Sequence, residues 1–149
     1  MELRKKLIIA LGGGMLAFGS ASQLALAQEK TAFQKDRNAQ MKILGQFMGQ
    51  LKRASNTAAM RAPAAAISNA TKKLTAMWPA GSGGPTTRAK AEIWTNLADF
   101  NAKMEAMQSA VDALIRVAAG SDLGAAKAAF GGVGRTCGGC HKVYRGPKI

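Results

Sequence analysis

Leu123-Gly124-Ala125-Ala126-Lys127-Ala128-Ala129-Phe130-Gly131-Gly132-Val133-Gly134-Arg135-Thr136-Cys137-Gly138-Gly139-Cys140-His141-Lys142-Val143-Tyr144 is the stretch whose reading decides the fold. Leu123, Ala126, Phe130, Val133, Cys137, His141 and Tyr144 recur at steps of three and four, which is one face of a helix. Ser121 or Asp122 can cap its start by accepting a bond from an exposed backbone N–H. The stripe survives five glycines in nine residues, Gly131, Gly132, Gly134, Gly138 and Gly139. A glycine inside a helix costs about 1 kcal/mol relative to alanine, so the run predicts something bulky against the backbone. The competing reading is a helix broken or kinked at that point.

Upstream lie three more stretches of the same kind. From about Lys30 to Arg53, the residues Arg37, Met41, Leu44, Met48 and Leu51 share a face. From about Pro63 to Met77 the face is Ile67, Ala70, Leu74 and Met77, with Pro63 suited to a first helical turn. Trp78-Pro79-Ala80-Gly81-Ser82-Gly83-Gly84-Pro85 then interrupts the pattern. From near Ala89 to near Ala119 the periodicity returns in Ile93, Leu97, Phe100, Met104, Met107, Val111 and Leu114, and Gly120 ends it. No segment alternates with period two. The 149 residues are 48% hydrophobic and only 5% aromatic, and Ala, Leu, Met, Lys and Gln recur, a composition that favours helix over sheet. Four helices with short joins predict a single all-α domain, an antiparallel four-helix bundle.

Residues 1–27 read as an export signal. Arg4, Lys5 and Lys6 precede an apolar run from Leu7 to about Phe18, and Ala25-Leu26-Ala27 offers small residues for cleavage before Gln28. The apolar run is shorter than the roughly 20 residues that span a bilayer, so an uncleaved anchor is the weaker reading. The mature domain is then 28–149, expected in the periplasm and not inserted in a membrane. Cleavage removes three basic residues and one acidic one from the formal +13, leaving +11. Such a surface attracts nucleic acid, anionic membranes or an acidic protein. Export argues against nucleic acid, and no run of five or more Lys/Arg marks a binding arm. A generally basic solvated surface and steering toward an acidic redox partner remain as readings.

Cys137-Gly138-Gly139-Cys140-His141 carries the chemistry. It has the Cys-x-x-Cys-His spacing of haem attachment: two thiols that can add to the vinyl groups of one porphyrin, and an imidazole beside them for the iron. On this reading the glycines between the cysteines clear a path for the macrocycle edge. A zinc site needs about four Cys or His ligands, whereas the whole chain holds two Cys and one His. A thioredoxin-like motif belongs with strands, and a disulfide here would close too short a loop to stabilise much. His141 is the only histidine, so a second axial iron ligand from this chain cannot be another His.

With this motif near the end of a four-helix chain, the sequence resembles class II cytochromes c, the cytochrome c′ family. The resemblance covers residues 28–149. It includes Arg37 with Met41-Lys42, the turn Trp78-Pro79-Ala80-Gly81-Ser82, Glu92-Ile93-Trp94, Ala128-Ala129-Phe130-Gly131 and the run from Cys137 to Arg145. It implies a bundle enclosing one covalently attached haem c, held by Cys137 and Cys140 with His141 as axial iron ligand, and often a homodimer through the first two helices. It implies that Arg37 and Asn38 approach the haem propionates, with Asn38 standing where Gln is commoner. Trp78 would sit beside the haem, Arg145 would flank the proximal side of His141, and Lys90 and Glu92 would border the haem edge. Read from the sequence alone, Arg37 is an arginine on an apolar stripe, which either meets an anion or snorkels from the helix. Met41 is either a sixth iron ligand, a residue that crowds a five-coordinate iron, or simply core.

Two functions follow from those alternatives. One is electron transfer through the iron to a redox partner protein. The other is binding of a diatomic gas, NO or CO, by a five-coordinate high-spin iron, as an NO buffer or sensor. A peroxidase needs a distal acid–base group, usually His, and none is left once His141 holds the iron, so the expectation is a protein that is not an enzyme.

Overall fold

The computed structural model describes residues 20–149, with side chains from residue 32 onward. Of the expected export segment, residues 1–19 and the side chains of 20–27 lie outside what is described. The elements are α1 (Ser20–Arg53), α2 (Ala58–Thr75), the single turn α3 (Glu92–Thr95), α4 (Leu97–Ala118) and α5 (Leu123–Tyr144). The four long helices form the expected antiparallel bundle.

α4 is the central member, packing on both α2 and α5, while α1 packs on α2. The core is built from the predicted stripes. Leu51, Ile67, Leu74, Phe100, Val111, Leu114 and Val133 are all but sealed from solvent. Each such side chain contributes about 1.5–3 kcal/mol of burial free energy. α1 and α5 meet only sparsely. One link between them is Lys127, whose Nζ donates to Leu51 O at 3.0 Å and Lys52 O at 2.8 Å. This cation answers orphan carbonyls and the negative dipole end of α1.

Apart from α1, which begins at Ser20 rather than near Lys30, two boundaries differ from the sequence reading. α2 begins five residues before Pro63, which sits inside it. Tertiary anchors pull the start upstream. Asn56 Oδ1 accepts from Ala59 N at 2.8 Å, the Thr57 hydroxyl donates to Gly120 O at 2.7 Å, and Arg61 donates to Ala118 O and Ala119 O. The third stretch is likewise not one helix from Ala89. Residues 88–90 run against the chain leaving α5: Ala89 forms an antiparallel bridge with Arg145, Lys90 N donates to Tyr144 O, and Gly146 N donates to Arg88 O. The helix then starts at Glu92 and breaks at Asn96, where φ is −133° and ψ 52°. The break shifts the phase of the stripe and leaves Leu97 45% exposed instead of buried.

α5 is unbroken through all five glycines, which removes the kinked-helix reading. Asp122 caps it, its carboxylate accepting from Ala125 N at 2.9 Å.

Candidate functional site

Where α1 and α5 fail to meet, a cavity of about 560 Å³ opens between them. α1 lines it with Arg37, Asn38, Met41, Leu44, Gly45 and Met48, and α5 with Gly134, Cys137, Cys140, His141 and Tyr144. Phe100, Met104 and Met107 of α4 form its floor, and Trp78, Arg88, Ala89 and Arg145 its rim. The lining is predominantly apolar, with polar groups at one end, as in sites for large flat ligands.

Cys137, Cys140 and His141 stand at helical spacings of three and four, so one face of α5 presents all three to the cavity. Both cysteines are unpaired thiols, and burial pushes both thiol pKa values up. Burial lowers the pKa of His141, reinforced by Arg145 and Arg88. A lowered pKa favours the neutral imidazole, the form whose lone pair a metal requires. Among the described residues no group of three or more His, Cys, Asp or Glu side chains could hold a metal ion.

Arg37 is only 3% exposed. Its Nη1 donates to Met77 O at 2.7 Å and Ser82 Oγ at 2.9 Å, and its Nη2 to Ser82 O at 2.7 Å. It does not snorkel. No carboxylate pairs with it among the described residues, and burial lowers its pKa. Trp78 Nε1 is buried and makes no hydrogen bond. A buried cation without a counter-charge and an orphan N–H beside one cavity fit a cofactor that carries acidic oxygens.

The other expected residues divide. Asn38 and Arg145 line the cavity, both on its exposed margin. Glu92 does not. It is exposed and bonded to Lys90, with Oε1 to Nζ at 3.1 Å, and Lys90 reaches Val143 O, so neither side chain lines the cavity. Of the α5 glycines, only Gly134 faces the cavity. Gly131 and Gly132 lie near the Arg135 side chain, and Gly138 and Gly139 are exposed on the outward face of α5. The expectation that the glycines of the motif clear the macrocycle edge is corrected accordingly. At 100° per residue, the two positions between the cysteines turn away from the interior.

The sequence reading missed two residues. Gln34, one turn before Arg37, donates to Gly83 O at 2.8 Å and accepts from Thr86 Oγ1 at 2.7 Å. It was detectable as a second polar residue in line with the α1 stripe. Arg88 reaches the cavity rim while its Nε and Nη2 hold Gly146 O and its Nε also Pro147 O. No local pattern could have marked it.

A sequence profile of the family described as Cytochrome C′ matches residues 25–145. The chain belongs to the cytochrome c′ family. The cytochrome c′ of Rhodopseudomonas palustris is 32% identical over 96% of this chain and 99% of its own length. That of Alcaligenes xylosoxydans xylosoxydans is 40% identical over a shorter match, 52% of this chain and 62% of the relative. Among solved structures, cytochrome c prime from Shewanella frigidimarina superposes with a TM-score of 0.75 at 30% identity, covering 79% of this chain and 97% of that one. As a cytochrome c′ family protein, the chain takes one covalently attached c-type haem as its cofactor.

Proposed function

We propose that this cytochrome c′ family protein is an exported electron carrier, with Cys137 and Cys140 as the thioether-forming residues and His141 as the axial iron ligand. The observation that carries the reading is the convergence of both thiols and the only imidazole on one cavity face. The bound haem supplies reversible one-electron chemistry at its iron. Met41 faces the same cavity from α1 and is the candidate for the second axial position. Leu44, Phe100, Met104 and Met107 keep water from that space, and Arg37 with Asn38 and Arg145 offers positive charge and donors to the propionates. The single histidine leaves no imidazole for acid–base catalysis, which supports a carrier or binder over an enzyme.

The secretion pattern in residues 1–27 supports cleavage after Ala27 and a periplasmic mature protein. No described helix is long and apolar enough to cross a membrane.

A second reading has its own observation. Point variants of the Alcaligenes xylosoxidans cytochrome c prime hold nitric oxide, and one related structure is of a dimer whose dissociation is ligand-controlled. If Met41 stays off the iron, the same cavity takes NO or CO, and the chain forms a comparable homodimer.

Protein matured in a host that attaches haem c tests the proposal. Mass spectrometry is expected to find the 28–149 chain carrying one macrocycle, and voltammetry a reversible one-electron wave. A processed chain without the added mass overturns the site. A loaded protein with no reversible wave, whose broad high-spin spectrum shifts on adding NO or CO, replaces the carrier with the gas binder.

A further inference from the structure

We infer that the outward face of α5, around Arg135, Lys142 and Val143, is the docking surface for an acidic one-electron redox protein. The inference rests on the electron-carrier reading above.

Charge is segregated along the chain. From Leu123 to Ile149 there are five basic residues, Lys127, Arg135, Lys142, Arg145 and Lys148, and no acidic one. Two carboxylates on neighbouring elements are already engaged, whereas Glu105 and Asp112 of α4 form no ion pair among the described residues. Glu92 pairs with Lys90, and Asp99 pairs with Lys103 and accepts from the Tyr144 hydroxyl. Arg135 and Lys142 form no ion pair among the described residues. Seven residues apart, they lie on one stripe of the helix about 10 Å from each other. Lys142, in the last turn, also answers the helix dipole, but Arg135 lies too far from the end for that. Val143 adds an apolar element at 40% exposure. An unpaired cationic stripe with an exposed apolar member is complementary to a carboxylate-rich surface.

The stripe also backs the residues that would hold the cofactor. Cys137 and Cys140 face the cavity, while Gly138 and Gly139 between them are exposed, and a Cβ at either would meet no atom within 4 Å. A docked protein therefore meets bare helix backbone a few bonds from the attachment sulfurs. Electron exchange falls steeply with distance, and the missing side chains shorten it. The step is one electron: ferrous iron is oxidised, the partner's centre is reduced by one, and no atom or proton moves; the reverse direction balances equally.

The test uses haem-loaded protein in the ferric state and a reduced plant-type [2Fe–2S] ferredoxin as an acidic one-electron donor. The second-order rate is expected to fall with ionic strength. Replacing Arg135→Gln and Lys142→Gln together should lower it by about 3- to 10-fold at low salt, within the range that electrostatic steering commands. Lys72→Gln with Lys73→Gln removes the same charge from α2, a helix not packed on α5, and should change the rate less than about 2-fold. Carbodiimide coupling, which joins carboxylates directly to amines, should link ferredoxin to Lys142 and not to Lys72 or Lys73. Equal losses from both double variants, or coupling at α2, overturn the docking surface and leave the carrier reading standing. A wild-type protein that ferredoxin does not reduce at any salt concentration, although dithionite does, overturns the carrier reading and the inference with it.

Discussion

The guanidinium carbon of Arg37 lies 4.6 Å from the centre of the Trp78 ring. The same side chain binds Met77 O, Ser82 O and Ser82 Oγ, so Arg37, together with Gln34 one turn before it, staples the loop between α2 and α3 to the bundle. Gly81 and Gly84, with φ of 75° and 127°, let that loop bend back toward it. Trp78 in turn packs edge-on against Phe100, at 4.9 Å between centroids, and Phe100 against Tyr144 at 5.2 Å. The staple thus extends through an aromatic chain to α5.

Arg37→Gln should therefore destabilise the holoprotein by about 2–4 kcal/mol, because buried carbonyls at Met77 and Ser82 lose charged donors. Urea unfolding measures it. A loss below about 0.5 kcal/mol, the ordinary range for surface substitutions, would show that the loop is held by other contacts.

Met41→Ala separates the two readings of the iron. If the thioether ligates, the variant should exchange a sharp reduced α band and the methionine–iron charge-transfer band for a broad high-spin spectrum, and gain NO and CO binding. A spectrum untouched by the change means that Met41 is no ligand.

Tyr144 is the only tyrosine, which makes its ionisation readable by ultraviolet absorbance. Its hydrogen bond to the Asp99 carboxylate, helped by burial, pushes its pKa up to about 12. The stability it contributes is whole below the unfolded pKa near 10 and drains as pH climbs through the folded value. Asp99 behaves in the opposite sense. The Tyr144 hydroxyl holds its pKa below the ordinary range, so its contribution is whole above about pH 4 and fades on acidification through the folded value. Asp99→Asn should bring the tyrosine titration back toward about pH 10. A titration left unchanged would place the cause elsewhere.

Gly83 packs beneath Trp94. A Cβ there would lie 2.8 Å from Trp94 Cζ3, and the indole is held by its N–H bond to Pro79 O at 2.9 Å. Gly83→Val should cost about 1–3 kcal/mol in thermal or urea unfolding, whereas Gly138→Ala, exposed and with no atom within 4 Å of the added carbon, should cost nothing through steric clash.

Local periodicity carried the bundle and the α4 face, and the Cys-x-x-Cys-His run carried the site's centre, because both are contained within a few turns of one helix. The two displaced helix starts were not legible, since they depend on residues far apart in the chain. Thr57 answers to Gly120, and Ala89 to Arg145. Glu92 fell to the same kind of cause: the extended pairing of 88–90 starts the helix at Glu92, exposed beside Lys90. Gly138 and Gly139 are a different case. Their outward direction follows from helical phase alone, and only the assumption that every glycine makes room for the cofactor hid it.

The first and last helices of this protein do not share a continuous seam, because the space between them is the cavity itself. The haem is then a fifth structural member, filling a joint that amino acids leave open. Any step that withholds the prosthetic group also withholds a wall of the building. Quality control can therefore read cofactor loading simply as resistance to proteolysis.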